Sequence, residues 1–216
     1  MLIGEAHKEQ FREEGYFLLP EAIPKATVEA LCAVCDHYIA EYKESEALES
    51  EEDAPDHGGE LYTRVNAQGQ RFRANILNLK DSRYFLEQRH GENATILDYI
   101  TNPVMAEICL ATLGPEAYFH FEEFVVKHPG GDNSFSWHQD GAYVSKHRLP
   151  YISVWCALDP ASEENGTIYV LPYSRAGTRE LVKHVRAPGT HDKVGYGGDD
   201  PGIPAILPAG GVAVFS

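Results

Sequence analysis

Within "SFSWHQDGAYV", Ser134 to Val144, a histidine and an aspartate stand two residues apart between aromatic side chains. On an extended backbone His138 and Asp140 point the same way and offer nitrogen and oxygen donors that one divalent cation can bridge. That donor set suits iron(II) or manganese better than zinc held by thiolates. Spacing alone leaves a second possibility, a His–Asp hydrogen bond inside a turn. Ten His and eleven Asp in 216 residues give about half an H-x-D per chain by chance, so the tripeptide means something only in context. The pairs His7/Glu9, His90/Glu92 and His120/Glu122 show the same noise. The first falls in a predicted helix, where residues two apart face different sides, and the second in a loop. The third falls in a predicted strand and reads as two outward polar residues. His138 has the stronger setting. A glycine-rich turn, Gly130 to Asn133, precedes it, Trp137 adjoins it, and Tyr143-Val144 follows.

The elements that must position this pair are legible in outline. Glu5–Glu14 reads as a helix and Tyr16–Leu19 as a short strand ended by Pro20. A second helix begins at Pro24 with Val28, Leu31, Val34, Cys35, Tyr38 and Tyr42 at helical spacing. It is predicted to dissolve into "KESEALESEEDAPDHGGE", which has no hydrophobic period. Residues 94–113 read as two helices broken near Asn102-Pro103 and stopped by Gly114. After Pro115, "AYFHFEEFVVKHPGG", "YISVWCALD", "GTIYVLP" and "GGVAVFS" carry strand chemistry separated by turn clusters. The expectation is one domain over 1–216, with 1–114 a mostly helical support and 115–216 a mainly β core shaped as a sandwich or barrel.

A chain carrying 33 acidic against 18 basic side chains, net charge −15, is repelled by phosphate backbones and anionic lipid. Nucleic acid and membrane surfaces are therefore excluded as expected partners. No apolar run approaches the roughly 18 residues needed to span a bilayer, and the N-terminus lacks the order of a signal peptide. A cytoplasmic location is the default expectation. Residues 41–60 hold nine acids and one lysine, whereas 61–90 hold Arg64, Arg71, Arg73, Lys80, Arg83 and Arg89 against Asp81 and Glu87. The basic stretch is an ordinary mixed surface or a face for an anionic substrate. Cys32 and Cys35 form a C-x-x-C inside a helical pattern, and with Cys109 and Cys156 they read as buried thiols rather than a metal or redox motif.

The ordered combination W-H-x-D-G (137–141), V-W-x-A-L-D (154–159) and E-N-G-x-x-x-V-L-P-x-S (164–174) resembles the phytanoyl-CoA dioxygenase family of iron(II)- and 2-oxoglutarate-dependent oxygenases. The similarity runs from "GYFLLP" to "AGGVAVFS". The resemblance implies a double-stranded β-helix, the jelly roll of the cupins, buttressed by N-terminal helices. It implies that His138 and Asp140 are two ligands of a facial triad that leaves positions open for 2-oxoglutarate and O2. The implied reaction couples oxidative decarboxylation of 2-oxoglutarate to hydroxylation of an unactivated C–H bond in a small-molecule substrate. Asp140 itself favours hydroxylation, since related halogenases carry a small residue there. By the same resemblance Trp155 lines the cosubstrate pocket, with core packing as its alternative, and Lys80 reaches the cosubstrate carboxylate. Gln139 should point away from the metal, and it and Tyr143 are candidates for the substrate mouth. His128, His147, His184 and His191 read as loop or surface residues.

The family pattern continues past "GGVAVFS" to a second histidine and an arginine that binds the far carboxylate of 2-oxoglutarate. The sequence ends at Ser216, so the third ligand is expected beyond that residue, in a C-terminally truncated chain of low activity. The alternatives are a cupin-like metal protein that uses no 2-oxoglutarate and a non-catalytic binding protein.

Overall fold

The computed structural model describes residues 2–48, 62–65, 71–75, 83–127, 135–144, 150–187 and 192–216. They fall into two compact units, one of residues 1–28, 101–118 and 134–216 and the other of residues 29–100 and 119–133.

The first unit contains helix α1 (Glu5–Glu14), strand β1 (Tyr16–Leu19), the start of helix α2 (Lys25–Leu48), and helix α4 (Pro103–Thr112). The strands β6 (Ser153–Cys156), β7 (Tyr169–Val170), β8 (Val185–Arg186), β9 (Lys193–Val194), β10 (Ile203–Pro204) and β11 (Val212–Phe215) follow. Its main sheet runs β1-β11-β6, all antiparallel, with Leu19 opposite Val212 and Val212 opposite Cys156. A strand in the middle of a sheet covered on both faces reads as a continuous apolar run. Accordingly Val212, Ala213 and Val214 of β11 are all fully buried. β1 alternates instead, burying Phe17 and Leu19. Phe17 meets Phe11 of α1 edge-on, with ring centroids 6.0 Å apart.

A buried cluster of four alanines and one leucine, Ala157, Ala161, Ala205, Ala213 and Leu207, lets loop backbones close on the sheet. Two-residue strands β7 and β10 pair beside it, and the buried Thr167 hydroxyl donates to the Ala205 carbonyl at 2.7 Å. Asn102 caps α4 by accepting from the Val104 N–H at 3.0 Å. Pro103 occupies the first turn, where its missing donor costs nothing.

The second unit holds most of α2, helix α3 (Ala94–Ile100), and a four-stranded antiparallel sheet in the order β2-β3-β4-β5. These strands are Tyr62–Val65, Arg71–Asn75, Arg83–Glu87 and Glu123–Lys127. Arg89 lies buried with its guanidinium 4.9 Å from the Tyr38 ring centre. Glu122 receives the Arg89 N–H, the His90 N–H at 3.0 Å and the His90 ring, which locks the turn leaving β4.

Two local expectations change. α2 continues to Leu48 rather than dissolving near Lys43. Lys43, Glu44, Glu46, Ala47 and Leu48 are all good helix formers, and propensity carries a helix beyond the end of its apolar stripe. The strand expected from Ala117 begins only at Glu123, because Glu122 turns inward to the Gln88–His90 turn. Residues 1–114 carry β1 to β4 beside the helices α1 to α4. Among the described residues no helix is long and apolar enough to cross a membrane.

Candidate metal centre

Gln139 has extended backbone (φ −105°, ψ 129°), and a single turn of 3-10 helix begins at Asp140 and runs to Tyr143. One extended residue is enough to aim its two neighbours to the same side. His138 Nε2 and Asp140 Oδ1 face each other at 3.1 Å, with the side chains 23% and 35% exposed. Both outer atoms are engaged. His138 Nδ1 lies 2.7 Å from the Ser136 carbonyl, and the Ser153 hydroxyl on β6 donates to Asp140 Oδ2.

A carbonyl only accepts, so Nδ1 carries the proton and the neutral imidazole directs a lone pair from Nε2 toward Asp140. Two acceptors at 3.1 Å repel unless a cation sits against both. Without a metal that cation is a proton. Burial opposes the charged imidazolium, but the hydrogen bond and charge of Asp140 and the Ser136 carbonyl outweigh it and raise His138 above its ordinary value. Burial would likewise raise Asp140, but hydrogen bonds from His138 and Ser153 hold it below the usual carboxylate range.

The pair also fits a divalent metal. Two bonds of roughly 2.1 Å at a right angle span about 3.0 Å, the separation of neighbouring octahedral donors. A third donor is not among the described residues, which contain no group of three His, Cys, Asp or Glu able to hold an ion.

The walls are aromatic. Tyr143 stands edge-on to His138 with centroids 5.6 Å apart and an interplanar angle of 88°. Lys193 Nζ lies 4.7 Å over the Tyr143 ring. The Phe135 ring lies tilted 6.3 Å from that of His138. The far edge of Trp137 presses on Gly202, whose bare α-carbon makes the contact possible. On β6, Ser153 and Trp155 share a face by strand alternation. Trp155 packs against the small-residue core cluster. Gln139 turns its amide to the opposite hairpin, accepting from the Val182 N–H at 3.0 Å and donating to the Glu180 carbonyl at 3.4 Å.

Two residues here escaped the sequence reading. Ser153 lies 13 positions from Asp140 and is one of many strand serines until the fold brings them together. His184, in the loop before β8, accepts the Gln139 N–H at Nε2, 3.0 Å away. Lys80, His128, His147 and His191 lie outside the described residues. Of the H-x-E pairs, His90 meets Glu122 rather than Glu92. His7 caps α1 by accepting from the Gly4 N–H.

The fold is shared with several solved structures. The structure of EvdO2 from Micromonospora carbonacea var. aurantiaca complexed with 2-oxoglutarate superposes with a TM-score of 0.63 at 18% identity, covering 99% of this chain and 80% of that one. The non-heme alpha ketoglutarate dependent carbocyclase SnoK from nogalamycin biosynthesis gives 0.61 at 17%, covering 99% and 74%. The epimerase SnoN, in complex with Fe3+, alpha ketoglutarate and nogalamycin RO, gives 0.54 at 16%, covering 98% and 73%. No curated protein matches the chain. The family model Phytanoyl-CoA dioxygenase (PhyH) matches residues 11–216, and the chain belongs to that family.

Proposed function

We propose that this chain carries the iron-binding core of a 2-oxoglutarate-dependent oxygenase that hydroxylates a small organic molecule. The fold is read as a double-stranded β-helix whose main sheet includes β1, β11 and β6. The observation that carries the proposal is the pair His138 Nε2 and Asp140 Oδ1, 3.1 Å apart with both outer atoms already bonded. When bound, iron(II) would supply activation of O2 at the expense of 2-oxoglutarate, which leaves as succinate and CO2.

The chain's own residues do the positioning. Ser136 holds His138 in the tautomer whose Nε2 is free to ligate, and Ser153 turns Asp140 so that Oδ1 faces the same point. Metal uptake releases the proton shared by the pair, so it strengthens with rising pH. Tyr143, half exposed beside His138, forms one wall of the substrate mouth. Trp155 is read as the cosubstrate-side wall because it shares a strand face with Ser153. Gln139 is read as a brace for the ligands, since its amide is committed to the 180–182 segment.

The test is an anaerobic titration with Mn2+ read by electron paramagnetic resonance, followed by calorimetry with 2-oxoglutarate. Saturable uptake that His138→Ala and Asp140→Ala each weaken by at least tenfold, with 2-oxoglutarate binding only to the loaded protein, is expected. Metal uptake indifferent to both substitutions, or 2-oxoglutarate binding without metal, would refute the proposal.

A further inference from the structure

We infer that His184 is a positioning residue for the metal pair, acting through the backbone of Gln139 between the two ligands; the inference rests on the function proposed above. Strands β8 and β9 form a hairpin, with Val185 opposite Val194 and Arg186 opposite Lys193. This hairpin and its flanks grip the ligand segment at Trp137, Gln139, Ala142 and Tyr143. The Gly195 N–H donates to the Trp137 carbonyl at 2.8 Å. Gln139 is held three times, through its N–H by His184, through Oε1 by the Val182 N–H, and through Nε2 by the Glu180 carbonyl. Lys193 donates from Nζ to the Ala142 carbonyl at 2.6 Å and from its backbone N–H to the Tyr143 hydroxyl at 2.7 Å.

Among the described residues His184, just before β8, is the side chain that meets the backbone between the ligands. Its orientation is determined from both ends. Nδ1–H donates to the Val182 carbonyl at 2.9 Å, which leaves Nε2 as the acceptor for Gln139. The ring lies flush on Gly195, where an added Cβ would come within 2.4 Å of Nε2. An imidazole fixed this way cannot follow Gln139 if the segment moves, so it holds the extended residue that points both ligands to one side. Groups that orient metal ligands from behind typically change affinity by about 10–100-fold when removed.

The experiment compares wild type, His184→Ala and His184→Gln, whose side-chain oxygen can accept in place of Nε2. Mn2+ affinity, amide exchange at Gln139 and thermal melting are measured together. His184→Ala should weaken Mn2+ binding about tenfold or more and speed Gln139 exchange by a similar factor. His184→Gln should recover most of both losses, and exchange in β1 and β11 should stay at wild-type rates. Wild-type uptake that depends on His138 but is unchanged in His184→Ala overturns the inference and leaves the proposed function standing. So does a loss of affinity that His184→Gln does not recover. Wild-type uptake that is absent, or independent of His138, overturns the functional proposal and the metal-directed role of His184 with it.

Discussion

Gly202 packs against Trp137, the residue before His138, and replacing it by alanine should be costly in a way that can be divided. Gly202 has φ +73°, and a Cβ built there meets Trp137 Cη2 at 2.5 Å, Cζ2 at 2.8 Å and the Val170 carbonyl oxygen at 2.9 Å. Left-handed backbone costs a non-glycine residue about 1–2 kcal/mol. Forcing a packed indole aside adds about 1–3 kcal/mol. Gly177 supplies the control, because it has φ +74° and no atom within 4 Å of an added Cβ. Gly177→Ala should therefore show the backbone cost alone, and the excess in Gly202→Ala measures the contact with Trp137 and Val170. For a chain of this size about 1 kcal/mol moves melting by roughly 2–4 °C. Gly202→Ala should melt roughly 4–20 °C below wild type, and Gly177→Ala roughly 2–8 °C below. In a Trp137→Ala background the cost of Gly202→Ala should fall toward the control, leaving the Val170 contact as the remainder. Because Trp137 adjoins His138, Gly202→Ala should also weaken Mn2+ uptake while Gly177→Ala does not. Equal melting losses at the two glycines would refute the packing role assigned to Gly202.

Two further predictions concern ion pairs and turns. Hydrogen bonds from Arg175 and the Gly202 N–H hold the Asp200 carboxyl below its ordinary value. A lowered carboxylate contributes stability above its ordinary value and loses it as pH falls through the lowered one. Arg175→Met should therefore melt below wild type near neutral pH and approach it as pH falls below the ordinary carboxylate range in low salt; a gap independent of pH would contradict this. Glu122→Gln should destabilise by about 1–3 kcal/mol in urea unfolding, because the turn at Gln88 (φ +55°) depends on that carboxylate. Faster amide exchange at Arg89 and His90 should accompany it, and wild-type stability would count against a buttressing role.

Much of this protein was legible locally. The helices over 5–14, 94–100 and 103–112, the break at Asn102-Pro103 and the stop at Gly114 rest on neighbours three or four residues apart, and such neighbours meet whatever the rest of the chain does. The family was legible in its ordered motifs, and the shared side of His138 and Asp140 in their spacing, since two residues flanking one extended residue need no distant partner to point the same way. The end of α2 and the start of β5 were misplaced. At α2 intrinsic propensity outlasted the hydrophobic pattern, and at β5 a carboxylate found its partners 32 and 33 residues away. Ser153 behind Asp140, His184 behind Gln139 and Gly202 beneath Trp137 belong to the tertiary structure alone. Their side chains are ordinary in sequence. They acquire a role only when the strand β6, the β8–β9 hairpin and the 198–202 loop close around one short segment. Which residues could ligate was therefore a matter of composition and spacing, whereas what holds them in place was decided by long-range packing.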